Sequence, residues 1–356
     1  MTARILESVR MLFLFSMLTS ATCVCAADWP CWQGSNRDAR SADTGLLKEW
    51  PAGGPTQVWK VSDLGKGFTS VAVSKDVIYT TGDVGEDLTI YAYDSKGVQK
   101  WKAVQGPAFT RKGNYPGSRS TPAIDNGKLY VLGGLGLLAC HDITADGKQL
   151  WKRDLVKEFG GGVPNWGYTE SPLILDNMVI VTPGGKTAII ALDKNTGKEI
   201  WQSDAQAGAN YSSAIVIKEK DAAIIAQGTG DGIFVVDAKD GKKIWSNPFS
   251  AKNTANAATP AYADGFLFWA NGYGKGGRCF KVEHKDGKWN ITDAWPTKDM
   301  VCHHGGYIIE KGYIYGNHNN GWSCIELASG TTKWTQPGVG KGSICFADGM
   351  LYMYNE

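Results

Sequence analysis

One phrase recurs along most of the chain and limits what it can fold into. ALDKNTGKEIW, ending at Trp201, returns as YAYDSKGVQKW ending at Trp101, ACHDITADGKQLW at Trp151, FVVDAKDGKKIW at Trp245 and CIELASGTTKW at Trp334. A glycine stands four residues before the tryptophan in all five copies: Gly97, Gly147, Gly197, Gly241 and Gly330. Each copy reads as a strand, a tight turn and a second strand, because apolar residues give way to Asp, Thr or Ser and Gly and then resume. The glycine supplies the positive φ of a compact hairpin, and an aspartate such as Asp193 or Asp237 is placed to accept hydrogen bonds from the turn backbone. One hairpin cannot bury its own apolar face, so such copies must pack against one another.

The repeat-type tryptophans fall at 59, 101, 151, 201, 245, 295 and 334, spaced 39 to 50 residues apart. That period, with several strands in each unit, is characteristic of sheets packed around a central channel. A second hairpin precedes each repeated phrase, as in TSVAVSKDVIYTTG, STPAIDNGKLYVLG, ESPLILDNMVIVTPG and TPAYADGFLFWANG. The expected fold is therefore all-β, a seven-bladed β-propeller of four-stranded antiparallel blades over residues 59–356. Two departures stand out. Residues 273–295 lack the usual glycine before Trp295, which predicts a longer outer hairpin in blade five. The last unit reaches Glu356 after two strands, which predicts an incomplete last blade, and Trp59 is expected to sit on a lone outer strand with no hairpin partner.

Residues 1–26 carry Arg4 and Arg10, then the apolar run MLFLFSMLTSAT, then small residues at Val24, Ala26 and Ala27. This reads as a cleaved signal peptide for export to the periplasm or cell envelope, since the run is shorter than the ~20 residues of a membrane span. Residues 27–58 form an irregular lead-in mixing Trp, Pro, Gly and charge. The formal charge of +2 loses two arginines and one glutamate with the leader, and so near a balance argues against nucleic acid as a partner. Cys31, Cys140, Cys279, Cys302, Cys324 and Cys345 match no zinc spacing; Cys140, Cys279 and Cys324 share one strand phase and read as small buried hydrophobes. No metal site and no catalytic residue is assigned, and a monomer is expected.

Repeat geometry also points to a site. The segment entering the innermost strand of each blade, before the Ser/Thr-Pro position, faces one mouth of the channel. That phase collects Phe68, Thr69, Arg119, Trp166, Tyr168, Glu170, Asn210, Tyr211, Asn256, His303, His304 and Lys341. Aromatic, cationic, amide and acidic groups together have the composition of a binding mouth for a small molecule, a glycan or a protein. Two plainer readings stand beside it: Tyr115, Trp166 and Tyr211 fill the upper channel, and Arg119 pairs internally with Glu170. His303 and His304, read as strand neighbours, point to opposite faces and do not share a metal.

The phrase at 191–201 resembles the quinoprotein repeat shared by pyrroloquinoline-quinone (PQQ) dehydrogenases and the outer-membrane assembly lipoprotein BamB. Through DWPCWQGSNRDARS, NYPGSRSTP, PNWGYTESPL and HHGGYIIEKGYIYG the chain is similar to bacterial exported PQQ-binding-like β-propeller repeat proteins. The resemblance implies a propeller and brings PQQ as a candidate cofactor by resemblance alone. Dehydrogenases of that kind resemble a longer eight-bladed ring with adjacent, disulfide-linked cysteines and a carboxylate beside calcium; this chain has no Cys-Cys pair and seven units. A non-catalytic binding or interaction scaffold is therefore the expected function, a PQQ-dependent oxidoreductase the alternative and a carbohydrate-binding propeller the third.

Overall fold

The computed structural model describes residues 27–355 except 111–114, 210, 253–255 and 320. The signal-peptide reading and Asn210 thus lie outside the described residues. Six four-stranded antiparallel sheets, with strands hydrogen-bonded in chain order, are followed by a two-stranded seventh. They form a β-propeller whose blades occupy residues 72–107, 123–154, 173–202, 215–247, 261–297, 307–337 and 342–355. The first strand of each blade lies innermost and meets its counterpart in the next blade, as Ala72–Ser74 meets Ala123–Asp125 and Tyr307–Glu310 meets Gly342–Ala347.

The repeated phrase explains the packing between blades. On the third strand a small residue stands opposite the tryptophan of the fourth: Ala92 opposite Trp101, Cys140 opposite Trp151, Ala191 opposite Trp201 and Cys279 opposite Trp295. A register shift follows directly after each of those small residues. Such a bulge increases local twist. The indole then lies on the turn glycine of the following blade, where an added Cβ would come within 3.0 Å of a ring: Trp101 covers Gly147, Trp151 covers Gly197 and Trp201 covers Gly241. Those glycines hold φ of 70–76°, so the turn needs glycine both for its backbone and for the ring above it. The indole N–H completes the contact by donating to a backbone carbonyl of the same neighbouring turn, Trp151 to Lys194 at 3.1 Å and Trp201 to Ala238 at 3.2 Å. Asp193 Oδ1 accepts from the Asn195 and Thr196 amides as expected.

Six apolar clusters result, one at each interface from blades one and two to blades six and seven. Cys140, Cys279 and Cys324 are buried in strands, and burial pushes the first two thiols up to about 12. Blade five carries the long hairpin Gly276–Lys285 and Lys288–Thr297; Gly287 at its tip meets nothing, and Trp245 packs instead on the Phe280 ring at 4.7 Å. Trp59 differs from expectation in one respect. It covers Gly97 and donates to Ser95 O at 2.8 Å like the other repeat tryptophans, but residues 51–60 form no strand. The tryptophan contact is satisfied by the side chain alone, without a sheet edge.

Candidate functional site

The lead-in, read from sequence as irregular, crosses the channel. Trp29 pairs with Val73 of blade one, and the Pro30 carbonyl accepts from Ile124 of blade two. The Trp32 indole donates to Thr259 Oγ1 at 3.0 Å, ahead of blade five. Arg37, only 5% exposed, donates to the carbonyls of Ser171, Pro172 and Ala214 at the inner ends of blades three and four. Arg40 then bonds Ile309 O and ion-pairs with Glu310 of blade six, and Ser41 N donates to Phe346 O of blade seven at 2.8 Å. Left-handed backbone at Gln33, Gly34, Arg37 and Ala39 coils the segment tightly enough to fit. One guanidinium spread over three inward carbonyls satisfies polar groups that the channel would otherwise leave without partners.

The plug divides the channel. On one side Trp32 floors a cavity of about 890 Å³. On the other, Gln33, Asn36, Arg37, Asp38 and Arg40 line a recess of about 270 Å³ against blades four to six. Burial raises the Asp38 carboxyl above its ordinary value, against hydrogen bonding and the charge of Arg40.

Of the residues read from sequence, the large cavity brings together Phe68, Thr69, Arg119, Trp166, Tyr211, His303, His304 and Lys341. The Arg119 guanidinium lies 4.7 Å from the Phe68 ring centre, 5.4 Å from Phe109 and 5.8 Å from Trp166, and donates to Tyr115 O. Tyr115 stacks on Trp166 at 5.9 Å. Burial lowers the Arg119 pKa, opposed by Tyr211 and by Asp83. Asp83 sits behind it, 5% exposed, with Oδ2 accepting from Phe109 N at 2.8 Å; burial raises this carboxyl, against that hydrogen bond and the Arg119 charge. Across the mouth the His303 ring meets Tyr273 at 4.4 Å and His304 at 5.5 Å.

Three assigned residues lie elsewhere. Tyr168 is 1% exposed, packs between blades two and three and donates to Pro183 O at 2.8 Å. Glu170 is buried, with one carboxylate oxygen accepting from Thr182 N at 2.5 Å and the other from Thr182 Oγ1 at 2.8 Å. Burial pushes Glu170 up to about 7, against those hydrogen bonds and the charge of Arg37. Neighbours alternate sides along an extended segment, so Thr169 faces the cavity while Tyr168 and Glu170 turn into the body. Asn256 is fully buried and its Oδ1 accepts from Ala251 N at 2.7 Å, bracing its own loop. The internal Arg119–Glu170 pair is likewise replaced: charge reaches Arg119 from Asp83 and Glu170 from Arg37. His303 and His304 lie in a bend before the inner strand, not in it, and for that reason both face the cavity. Trp32 and Tyr273 were not foreseen, the first because it sits in a segment without periodicity, the second because it lies in the turn before a long hairpin.

A family model described as outer membrane protein assembly factor BamB matches residues 86–336, well over half of the chain. The chain belongs to this BamB family. It is 29% identical over 225 residues to BamB of Burkholderia pseudomallei, covering 61% of this chain and 52% of that protein. It is 27% identical over 187 residues to the quinoprotein alcohol dehydrogenase PedH of Pseudomonas putida, covering 49% and 31%. The matched part thus spans about half, or less, of those relatives. Among solved structures, BamB from Moraxella catarrhalis superposes with a TM-score of 0.54 at 16% identity over 75% of this chain and 72% of that one. Quinohemoprotein alcohol dehydrogenase from Comamonas testosteroni gives 0.62 at 13% identity over 92% and 70%. Both likenesses carry the fold alone. No helix among the described residues is long and apolar enough to cross a membrane.

Proposed function

We propose that this BamB-family protein is an exported, non-catalytic binding scaffold of the periplasm or cell envelope that holds a ligand in the floored cavity at its channel mouth. The observation that carries the reading is the cavity itself. Seven blades contribute side chains to one concave surface, and a buried, multiply hydrogen-bonded plug closes it below, which makes the site preformed. The family's name, with its reference to outer-membrane assembly, and the leader-like residues 1–26 support the location.

The alternative of a quinone dehydrogenase fits less well. Arg119 and the rings around it suit a planar polyanion such as PQQ. However, the described cavity lining holds no carboxylate to take a cation beside it. No group of three metal-binding side chains occurs among the described residues. The described residues therefore do not form a quinone–calcium centre, and no reaction step is assigned.

A thermal-shift screen across sugars, organic acids, short peptides and PQQ tests the scaffold reading, run on the wild type and on the Arg119→Ala/Trp166→Ala double variant. At least one compound is expected to raise the wild-type melting temperature and to lose that effect in the variant. Compounds that stabilise both proteins equally, or none that stabilises either, would overturn it.

A further inference from the structure

The mouth cavity combines three kinds of side chain. Aromatic side chains are exposed at its rim, Phe68, Tyr115 and Tyr273 by 60%, 69% and 63%, with Arg119 over the Phe68 ring and Trp166 stacked on Tyr115. Hydroxyls line the wall at Ser70 and Ser343; Thr121 and Ser213 also border the cavity but are buried, and Ser213 Oγ accepts from Ser171 N at 3.0 Å. Formal charge comes from Arg119 on the arc of blades one to three and from Lys341 at the entry to blade seven, with no carboxylate in the described lining. The nearest acid, Asp83, is buried behind Arg119 and engaged with Phe109 N.

Resting on the scaffold reading above, we infer that the ligand is an acidic carbohydrate: an oligosaccharide whose pyranose rings lie on the rim aromatics and whose carboxylate or sulfate groups meet Arg119 and Lys341. Each element of the chemistry has its counterpart. The C–H face of a sugar ring is apolar and flat, so an open tyrosine or phenylalanine face removes it from water while its edge hydroxyls stay accessible. Wall hydroxyls both donate and accept, which matches sugar hydroxyls in either sense. Two cations without a lining acid hold the mouth at positive potential. Arg119 is ringed by Phe68, Phe109 and Trp166, so it has already shed much of its hydration and an anion need displace little water to reach it. A neutral glycan would bring no charge to meet it.

An acidic peptide is the competing occupant, and the surface favours it less. Peptides gain affinity chiefly by adding a strand to an open sheet edge or by laying a helix in an apolar groove. Ser343 apart, the lining residues lie outside the strands, so the mouth offers side chains in place of a strand edge.

Isothermal titration calorimetry of the full chain tests the inference with tetragalacturonate, a sulfated galactan tetrasaccharide, neutral galactotetraose, tetraglutamate and PQQ. At least one acidic tetrasaccharide is expected to bind about tenfold more tightly than the neutral one, with affinity falling as salt rises. Which of the two binds decides between carboxylate and sulfate as the anion. Arg119→Gln and Lys341→Gln, which remove charge and keep hydrogen-bonding capacity, are each expected to lower that affinity about tenfold and to flatten its salt dependence, so that the preference over galactotetraose shrinks. Galactotetraose binding as tightly as the acidic sugars would overturn the anion requirement and leave the scaffold reading standing. Tetraglutamate or PQQ binding at least as tightly would overturn the carbohydrate class. Absence of binding by every probe would overturn the inference outright, while the thermal-shift screen decides the scaffold reading separately.

Discussion

Glu170→Gln separates the energetic role of a buried carboxyl from any role at the mouth. The wild-type side chain is fully buried, holds the Thr182 amide and hydroxyl and has its pKa pushed up from 4.5 to about 7, by burial above all. A folded-state pKa above the unfolded one means that the folded protein binds this proton more tightly. The associated stability is present below the unfolded value and is lost as pH rises through the folded value. At about 1.4 kcal/mol per pH unit, the interval from 4.5 to about 7 comes to about 3 kcal/mol. Glutamine has the same shape, accepts from Thr182 N and donates toward Thr182 Oγ1 once that hydroxyl rotates. It carries no titration. Urea melts of both proteins from pH 4 to pH 8 should therefore show the variant gaining on the wild type with rising pH, by about 3 kcal/mol over the whole range. Two stability curves that run parallel across that range would refute the reasoning, because Glu170 would then titrate alike in the folded and unfolded chains.

Three further outcomes follow from the packing. Trp201→Ala removes an indole that is 7% exposed between blades three and four and should cost ~3–5 kcal/mol in denaturant melts; a loss below about 1 kcal/mol would contradict its place in the blade interface. Gly197→Ala puts a Cβ within 2.8 Å of the Trp151 ring at a φ of 70°, so it should destabilise by more than ~1 kcal/mol, and a neutral or stabilising result would mean that this turn does not carry the ring. Arg119→Ala and Glu170→Gln should add within about 0.5 kcal/mol in a double-mutant cycle, because their charge partners are Asp83 and Arg37; coupling above ~1 kcal/mol would restore an internal pair between them.

Much of the fold was legible because the repeat writes its packing twice, once in the turn glycine and once in the tryptophan that lies on it. Gly197 and Trp201 are near in sequence yet serve different interfaces, the first covered by Trp151 and the second covering Gly241. Local pattern therefore encoded contacts about one repeat apart. The site was legible only to the level of a phase. Arg119, Trp166 and Tyr211 came out at the mouth as the period requires, but side-chain direction depends on single-residue alternation that a period of 39 to 50 residues does not resolve. Tyr168 and Glu170 fell on the wrong side of Thr169 for that reason. The histidines erred the other way, since a bend abolished the alternation assumed for a strand. The plug left no pattern at all: its order comes from Arg37 and Trp32 reaching partners more than 130 residues away, which no local rule anticipates.

The central claim is that the plug-floored cavity is the binding site, and the most direct measurement is a crystal structure of the full chain soaked with tetragalacturonate. The account predicts sugar density over the Tyr115 and Tyr273 rings, a carboxylate within hydrogen-bonding reach of Arg119, and Trp32 still bonded to Thr259 beneath it. Density confined to the outer rim or to the recess beside Gln33 and Asp38, or a lead-in displaced from the channel, would contradict it.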